Sequence, residues 1–272
     1  MNKSFQRHPS VKLIYENYNV TKENPLKKLF ELLLQLSIIL GVIYFLVFTT
    51  SGIIIKNMSN EQQIVLEEVL ATQTKVKAIS KLDKDIEERL EKIKNSIVAW
   101  DTTYPSRSSQ KIKLVASKHL NAFCLPNGDI YITTKLYDKL TDDEALTFVV
   151  AHEMGHYKNR DHLMRLRKNL ATGAIMAILI IANPDAESFS NFLESGIDVA
   201  GMKNSRFKEF RADRYAGNAL IGIYGTTDGA IKALEILDSE SNSYDFDILS
   251  THPATERRIK QIKKLNTSVD SK

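Results

Sequence analysis

Cysteine is almost missing from this chain of 272 residues, in which Cys124 is the only one. A single thiol closes no internal disulfide and is too little for a cysteine-based metal site, so neither feature is expected. An excess of charge of one sign is also lacking, because 37 basic and 33 acidic residues leave a net charge of +4. These charges are well mixed and form no basic stripe, so nucleic acid is not an expected partner.

Charged residues are absent from the run Leu36–Ile55, "LSIILGVIYFLVFTTSGIII". As a helix this run would be about 30 Å long, which is the thickness of the hydrocarbon core of a bilayer. A secretory signal peptide begins nearer the N-terminus and has a shorter apolar region, so we expect an uncleaved membrane anchor. The sequence then divides into an N-terminal tail (1–29), a transmembrane anchor (30–56) and a main domain (57–272).

The charges on the two sides of the anchor differ. Lysines precede the apolar run and carboxylates follow it, namely Lys12, Lys22, Lys27 and Lys28 on one side and Glu61, Glu67 and Glu68 on the other. The positive-inside rule therefore predicts a cytoplasmic N-terminus and a main domain on the periplasmic or extracytoplasmic side.

The main domain opens with a helical pattern and continues with an alternating one. Ser59–Gln62, "SNEQ", is typical of a capping box and predicts a long, mostly helical segment that reaches about Trp100. From Lys111 the period changes to two, and Asn127-Gly128 between apolar runs indicates a hairpin in a small antiparallel sheet. One apolar stripe of the helical segment is expected to pack on the domain itself: Ile86, Leu90, Ile93 and Ile97.

A later helix carries the most informative motif. Thr141–Leu146, "TDDEAL", predicts another capping box, and the apolar helical pattern continues through Ala151–His156, "AHEMGH". Residues four apart lie on one helix face, so His152 and His156 can direct ring nitrogens at one ion about 2 Å away. Glu153 lies about 100° around the helix, where a general base for a zinc-activated water is needed. The alternative is a structural pair of histidines.

A catalytic zinc site needs a third protein ligand, and two candidates compete. His162 has the third-ligand spacing of the metzincins, but that arrangement requires a glycine where this chain has Asn159. Glu209 in "SRFKEFRADRYA" is followed one helical turn later by Asp213, whose carboxylate can fix the tautomer of a zinc-bound histidine. We favour Glu209, because a ligand and its supporting carboxylate account for both residues.

The stretches "NAFCLPNGDIYIT", "HEMGH", "EFRAD" and "STHPATERRI", in that order, resemble the membrane-associated zinc metallopeptidase family of the HtpX, CAAX prenyl and BepA-type proteases. The resemblance covers roughly Lys111 to Ile259. It implies a zincin metallopeptidase domain with a predominantly helical α+β fold and a single zinc ion. The implied zinc ligands are His152, His156 and Glu209, with Glu153 as the base and Asp213 supporting a ligand.

The same resemblance implies residues that contact the substrate. The family's strand beside the cleft, whose backbone would hold an extended polypeptide as an added strand, matches Asn121, Ala122, Phe123 and Cys124. Cys124 departs mildly from the small residues usual at that position, and a core thiol is its expected role. His252 would donate to the tetrahedral oxyanion; the alternative is a histidine near a helix start without a chemical role.

Three further side chains are expected to play no part in the chemistry. His162 is expected to be structural or solvated. Arg257 and Arg258 could tie their helix to acidic residues of the zinc helices, but a solvated surface position is the expectation.

A second apolar run, Leu170–Ala182, has thirteen residues and is short for a membrane span. A single crossing would place Glu209 and His152 on opposite sides of the bilayer, because no apolar segment between Pro184 and Ser205 returns the chain. A zinc site built from both residues therefore excludes a span. The run is then a buried core helix or a helix on the membrane surface.

Together these patterns predict a membrane-anchored zinc metalloendopeptidase that hydrolyses polypeptides. By resemblance its substrates are unfolded or misassembled membrane and envelope proteins, which an anchored site would meet at the lipid bilayer. The alternative from another class is a chaperone or scaffold that binds extended chains on a zinc fold and rarely cuts them. Glu153 argues against that alternative, since a pure binder has no need of a general base.

Overall fold

The computed structural model describes residues 24–74, 76–107, 109–182, 206–239 and 256–267. In chain order the elements in these residues are α1 (Pro25–Asn57), α2 (Asn60–Thr72), α3 (Lys84–Trp100), β1 (Ile112–Val115), β2 (Ala122–Cys124), β3 (Ile130–Thr133), α4 (Thr134–Lys139), α5 (Asp143–Lys158), α6 (Asp161–Ala182), α7 (Arg206–Tyr224), α8 (Asp228–Ser239) and α9 (Glu256–Thr267). The predicted fold class, a predominantly helical α+β domain preceded by an apolar helix, is confirmed.

Helix α1 has 33 residues and, among the described residues, is the one helix long and apolar enough to cross a membrane. The predicted anchor (30–56) lies within it. Within the described residues the chain divides inside this helix, between Ile43 and Tyr44, into two units. Large apolar side chains along α1 are exposed, for example Phe30 at 67% and Phe45 at 64%. Water would penalise such exposure and the interior of a bilayer would not.

Helix α2 begins as predicted, and a non-helical connection separates it from α3. Ser59 accepts a hydrogen bond from the Gln62 amide (3.2 Å), and the Gln62 side chain accepts one from the Ser59 amide (2.9 Å), which confirms the capping box. The mostly helical segment predicted up to about Trp100 is interrupted between α2 and α3. There the Ile79 amide donates to the Leu114 carbonyl of β1 (2.8 Å), so the backbone pairs beside the sheet and leaves the helix.

The three strands form one sheet in the order β1-β3-β2. Strands β2 and β3 form the predicted antiparallel hairpin, with Phe123 opposite Tyr131. The prediction of a wholly antiparallel sheet is wrong, because β1 runs parallel to β3. After β1 the chain passes the end of β3, where the Ser117 amide donates a hydrogen bond to Thr134 Oγ1 (3.3 Å). Strand β2 then starts on the side of β3 that faces away from β1. Strand β2 is thereby left at an edge.

Helix α5 passes through the middle of the domain, and each of its residues from Ala145 to Tyr157 is buried. Asp142 caps it by accepting a hydrogen bond from the Glu144 amide (2.8 Å). The predicted capping box at Thr141 is therefore wrong, because the next carboxylate already satisfies the first free amide. Close contact with α7 depends on Gly155, where an added Cβ would lie 3.3 Å from the Cα of Ala212.

Helix α6 carries the second apolar run in its C-terminal half. Arg167 donates two hydrogen bonds to the Phe48 carbonyl of α1, at 3.2 and 3.0 Å. Beyond that point Leu170 is 44% and Ile178 is 39% exposed. The described part of the run is therefore not a buried core helix. The N-terminal half of α6 does pack, in a cluster of Ile55, Leu70, Leu163 and Leu166.

Candidate metal centre

Three side chains from two helices converge inside the domain, and each is at most 4% exposed: His152, His156 and Glu209. The two histidines lie one turn apart on α5, with their Nε2 atoms 3.1 Å apart. Glu209, in the first turn of α7, brings Oε2 to 3.3 Å from the Nε2 of His152. Its Oε1 lies 3.3 Å from the Nε2 of His156. Close packing at Gly155 allows the two helices to approach this far.

The other ring nitrogen of each histidine faces a carboxylate. Nδ1 of His152 lies 3.0 Å from Oδ1 of Asp213, one turn after Glu209 on α7. Nδ1 of His156 lies 2.8 Å from Oδ2 of Asp161, at the start of α6. An ionised carboxylate only accepts hydrogen bonds, so with a metal ion in the centre each Nδ1 would carry the proton and each Nε2 would present a lone pair to the ion.

This donor set fits a metal ion. Two Nε2 lone pairs and a carboxylate are all acceptors, and acceptors this close repel one another unless a cation lies among them. A tetrahedral zinc ion holds neighbouring ligand atoms about 3.3 Å apart, and the separations here are 3.1, 3.3 and 3.3 Å. Among the described residues, these three form the one group of histidine, cysteine and carboxylate side chains that lie close enough together to hold an ion. Three protein ligands would leave one position open.

The surrounding carboxylates make the centre favourable to positive charge. Burial alone would lower the pKa of His152, but Asp213 and Glu209 outweigh burial and raise it to about 9. Burial also acts to lower the pKa of His156, but Asp161 and Glu209 raise it. A metal cation bound here would replace such protons, so its affinity should increase with pH.

Arg258 of α9 completes the network, and the expectation that it is solvated is wrong. It is 3% exposed, and its Nε and Nη2 each donate to Asp213 at 2.7 Å. Burial would raise the pKa of Asp213, but Arg258 and His152 lower it, so this carboxylate stays ionised. Without a cation beside it, a fully buried Asp213 would be costly. Arg257 is exposed, as expected.

Glu153 follows His152 on α5, and its charge acts on both His156 and Cys124. It is 3% exposed, and its helix packs against β2. Burial raises the pKa of the Cys124 thiol, and the nearby charge of Glu153 raises it further. Cys124 and Ala122 are buried and Phe123 between them is half-buried. Cys124 is therefore a protonated core thiol.

Two histidines from the sequence analysis remain. His162 is buried outside the metal group, and its Nε2 lies 2.9 Å from Oε1 of Glu67 on α2. This position gives no support to the metzincin alternative. His252 lies outside the described residues, so its role as an oxyanion donor stays a prediction.

Sequence reasoning missed Asp161, which is 1% exposed and also accepts from Arg211 at 2.7 Å. Five positions after His156 it would point elsewhere on a continuous helix. Instead α5 ends at Lys158, Arg160 adopts a φ of 55°, and α6 starts at Asp161 with its carboxylate turned back to the histidine. An aspartate directly after the motif helix was the available signal.

Asp161→Asn is expected to weaken zinc binding by about 10- to 100-fold, because the amide is a poorer acceptor for the His156 Nδ1 proton. Competition with a chromogenic chelator, on the purified full chain in detergent, measures this affinity. Asp143→Asn, on the exposed start of α5, is the matched control and should bind zinc like the wild type. Equal affinities for all three proteins would show that Asp161 does not support the site.

Known proteins share this part of the chain. The model of Peptidase family M48 matches residues 80–266. Protease HtpX of Legionella pneumophila (strain Lens) is 33% identical over 169 residues, which are 54% of this chain and 59% of that protein. Mitochondrial metalloendopeptidase OMA1 of Arabidopsis thaliana is 28% identical over 167 residues, 61% of this chain and 33% of that protein.

The chain therefore spans about 59% of the length of the Legionella relative and 33% of the Arabidopsis relative. The family model covers more of this chain than either relative does. It runs from before α3 into α9 and includes four residues of the metal centre: His152, His156, Glu209 and Asp213. The resemblance drawn from the four sequence stretches is thereby confirmed. On this match across more than half of its length, the chain belongs to peptidase family M48.

Proposed function

We propose that this protein is a membrane-anchored zinc metalloendopeptidase whose zinc ion is held by His152, His156 and Glu209. The observation that carries the proposal is the convergence of three buried acceptors at 3.1 to 3.3 Å. When bound, zinc would lower the pKa of a water to about 7 and polarise a peptide carbonyl. The names of the relatives, a protease and a metalloendopeptidase, support the same activity.

The chain's own residues perform the proton transfers. Glu153 takes a proton from the attacking water and passes it to the leaving amine. Asp213 and Asp161 keep the Nδ1 protons of the two histidines in place, so that both Nε2 lone pairs stay directed inward. His252 is the proposed donor to the tetrahedral oxyanion.

The proposed substrate contact is the outer edge of β2, over Asn121, Ala122, Phe123 and Cys124. Thr133 donates to the Asn121 carbonyl (2.9 Å) and Leu125 to the Asp129 carbonyl (2.8 Å), so these positions of the strand face β3. In an antiparallel pair alternate residues face opposite sides, so Ala122 and Cys124 face away from β3. Their amides and carbonyls therefore lie on the side of β2 where an extended polypeptide would add as a strand.

The setting of the activity follows from α1. We propose that α1 crosses the bilayer once, with the N-terminus in the cytoplasm and the domain on the periplasmic or extracytoplasmic side, because of the lysine bias around it. A site tethered in this way meets polypeptides at the membrane. Unfolded or misassembled membrane and envelope proteins are the proposed substrates, and protein quality control is the proposed role.

Metal removal tests the proposal. The purified full chain in detergent is expected to contain a single zinc ion by elemental analysis and to cut fluorescently labelled, unfolded casein. Dialysis against 1,10-phenanthroline should abolish cutting, and stoichiometric zinc should restore it, because the water is activated only by the ion. A zinc-loaded wild type that binds casein and never cuts it would favour the chaperone or scaffold. Cutting that survives complete metal removal would overturn the proposal.

A further inference from the structure

A buried carboxylate on α2 contacts residues next in sequence to the metal centre and has no role in the proposed chemistry. Glu67 is 4% exposed. Its carboxylate accepts hydrogen bonds from the His162 Nε2 at 2.9 Å and from the Tyr157 hydroxyl at 3.3 Å. Arg107 adds an ion pair. A buried charge needs such compensation, and here three separate segments supply it.

Two of these donors are chain neighbours of metal-centre residues. Tyr157 follows His156, and His162 follows Asp161. Between them the chain turns from α5 into α6, with Arg160 in the left-handed region at a φ of 55°. The rings of Tyr157 and His162 stack at 5.3 Å and 14°. Glu67 therefore holds both sides of the corner that turns the Asp161 carboxylate back to His156.

The protonation states suit this arrangement. Burial would raise the pKa of Glu67, but hydrogen bonds and charges from His162 and Arg107 lower it, so the group stays ionised. Burial raises the pKa of Tyr157, so its hydroxyl keeps the proton that it donates. Burial lowers the pKa of His162 despite the nearby Glu67. Glu67 therefore stays charged among its partners at the corner.

Glu67 also belongs to the segment that leaves the membrane helix. Helix α2 begins three residues after α1 ends, and the Gln63 side chain donates to the Met58 carbonyl in the connection at 3.2 Å. Ile55 of α1 and Leu70 of α2 share one apolar cluster with α6. A continuous set of packed contacts thus runs from the end of α1 through α2 to the α5–α6 corner.

We propose that Glu67 is a positioning residue for the metal centre. It fixes the α5–α6 corner so that Asp161 can orient His156, and it connects the metal geometry to the helix that follows the anchor. The inference rests on the proposed zinc site. It assigns to Glu67, which lies outside the motif helices, an effect on the affinity of that site for zinc. A purely structural ion pair would stabilise the fold without changing the affinity for metal.

A double-mutant cycle separates these possibilities. In the full chain, Glu67→Gln is expected to raise the zinc dissociation constant about 3- to 10-fold, less than loss of a direct orienting partner. Because Glu67 acts through Asp161, the double variant Glu67→Gln with Asp161→Asn should bind zinc no more weakly than Asp161→Asn alone. The visible spectrum of the cobalt-substituted protein should change in Glu67→Gln, since the ligand geometry changes.

The control is Asp129→Asn, another buried carboxylate, which is 6% exposed and paired with Lys113. It should lower the melting temperature and leave zinc affinity and cobalt spectrum unchanged. If Glu67→Gln does not fold, Tyr157→Phe removes one hydrogen bond to Glu67 and should shift the affinity in the same direction.

Unchanged zinc affinity in a folded Glu67→Gln, or in Tyr157→Phe, overturns the inference, and so do additive losses in the double variant. Failure of the proposed function looks different, because the wild type itself would then bind no zinc, or would bind zinc and leave casein uncut.

Discussion

Glu153→Gln is expected to reduce kcat for peptide hydrolysis by about 10²- to 10⁴-fold while zinc content stays at the wild-type level. Glutamine has nearly the shape of glutamate but cannot take a proton from water. The three side chains that could hold a metal do not include this residue, so a bound ion should remain in place. Initial rates on labelled casein, beside elemental analysis of the same preparation, measure both quantities.

The matched control for this loss is Glu88→Gln on the exposed side of α3, where the side chain is 66% exposed. It makes the same chemical change far from the site and should keep wild-type kinetics. A zinc-loaded Glu153→Gln protein within about threefold of the wild type would mean that another group accepts the proton.

Glu209→Ala is expected to bind zinc more than 100-fold more weakly than the wild type. An orienting partner of a ligand is worth about 10- to 100-fold in affinity, and a direct ligand is worth more. The variant leaves two imidazoles, which cannot complete a three-ligand protein site. Zinc affinity by chelator competition is the measurement, with the melting temperature of the metal-free protein reporting whether the domain is folded.

The comparison for Glu209→Ala is His162→Ala. His162 faces Glu67 and not the metal group, so this variant should lose no more affinity than the small factor expected for Glu67→Gln. The reverse pattern, with zinc lost in His162→Ala and kept in Glu209→Ala, would show that the metzincin arrangement is the correct one.

The parts of the centre that were predicted are those with local geometry. His152 and His156 are four positions apart on a helix, and helical geometry alone places their rings on one face. Glu209 lies on a distant helix. It was favoured as the third ligand because Asp213 follows one turn later, and the family resemblance implied the same ligand. The close approach of α5 to α7 at Gly155 follows from tertiary packing, which helical spacing does not encode.

Two of the errors concern contacts between distant segments, and a third concerns a local backbone turn. Arg258 looks like a surface residue until a buried Asp213 is known to face it. The sheet was predicted antiparallel because the hairpin at Asn127-Gly128 is local, whereas the placement of β1 depends on how the chain passes Ser117. Asp161 was missed because a backbone turn at Arg160 interrupts the helical spacing.

The complete burial of α5 between Ala145 and Tyr157 has a consequence for a protein that would work among unfolded chains. A segment opens locally where few of its residues are buried, and every residue in this part of α5 is buried. Its backbone becomes accessible only when the whole domain core is lost. A second molecule with the proposed activity would therefore not cut the motif helix of a folded copy. The metal centre would then be lost only when the domain unfolds.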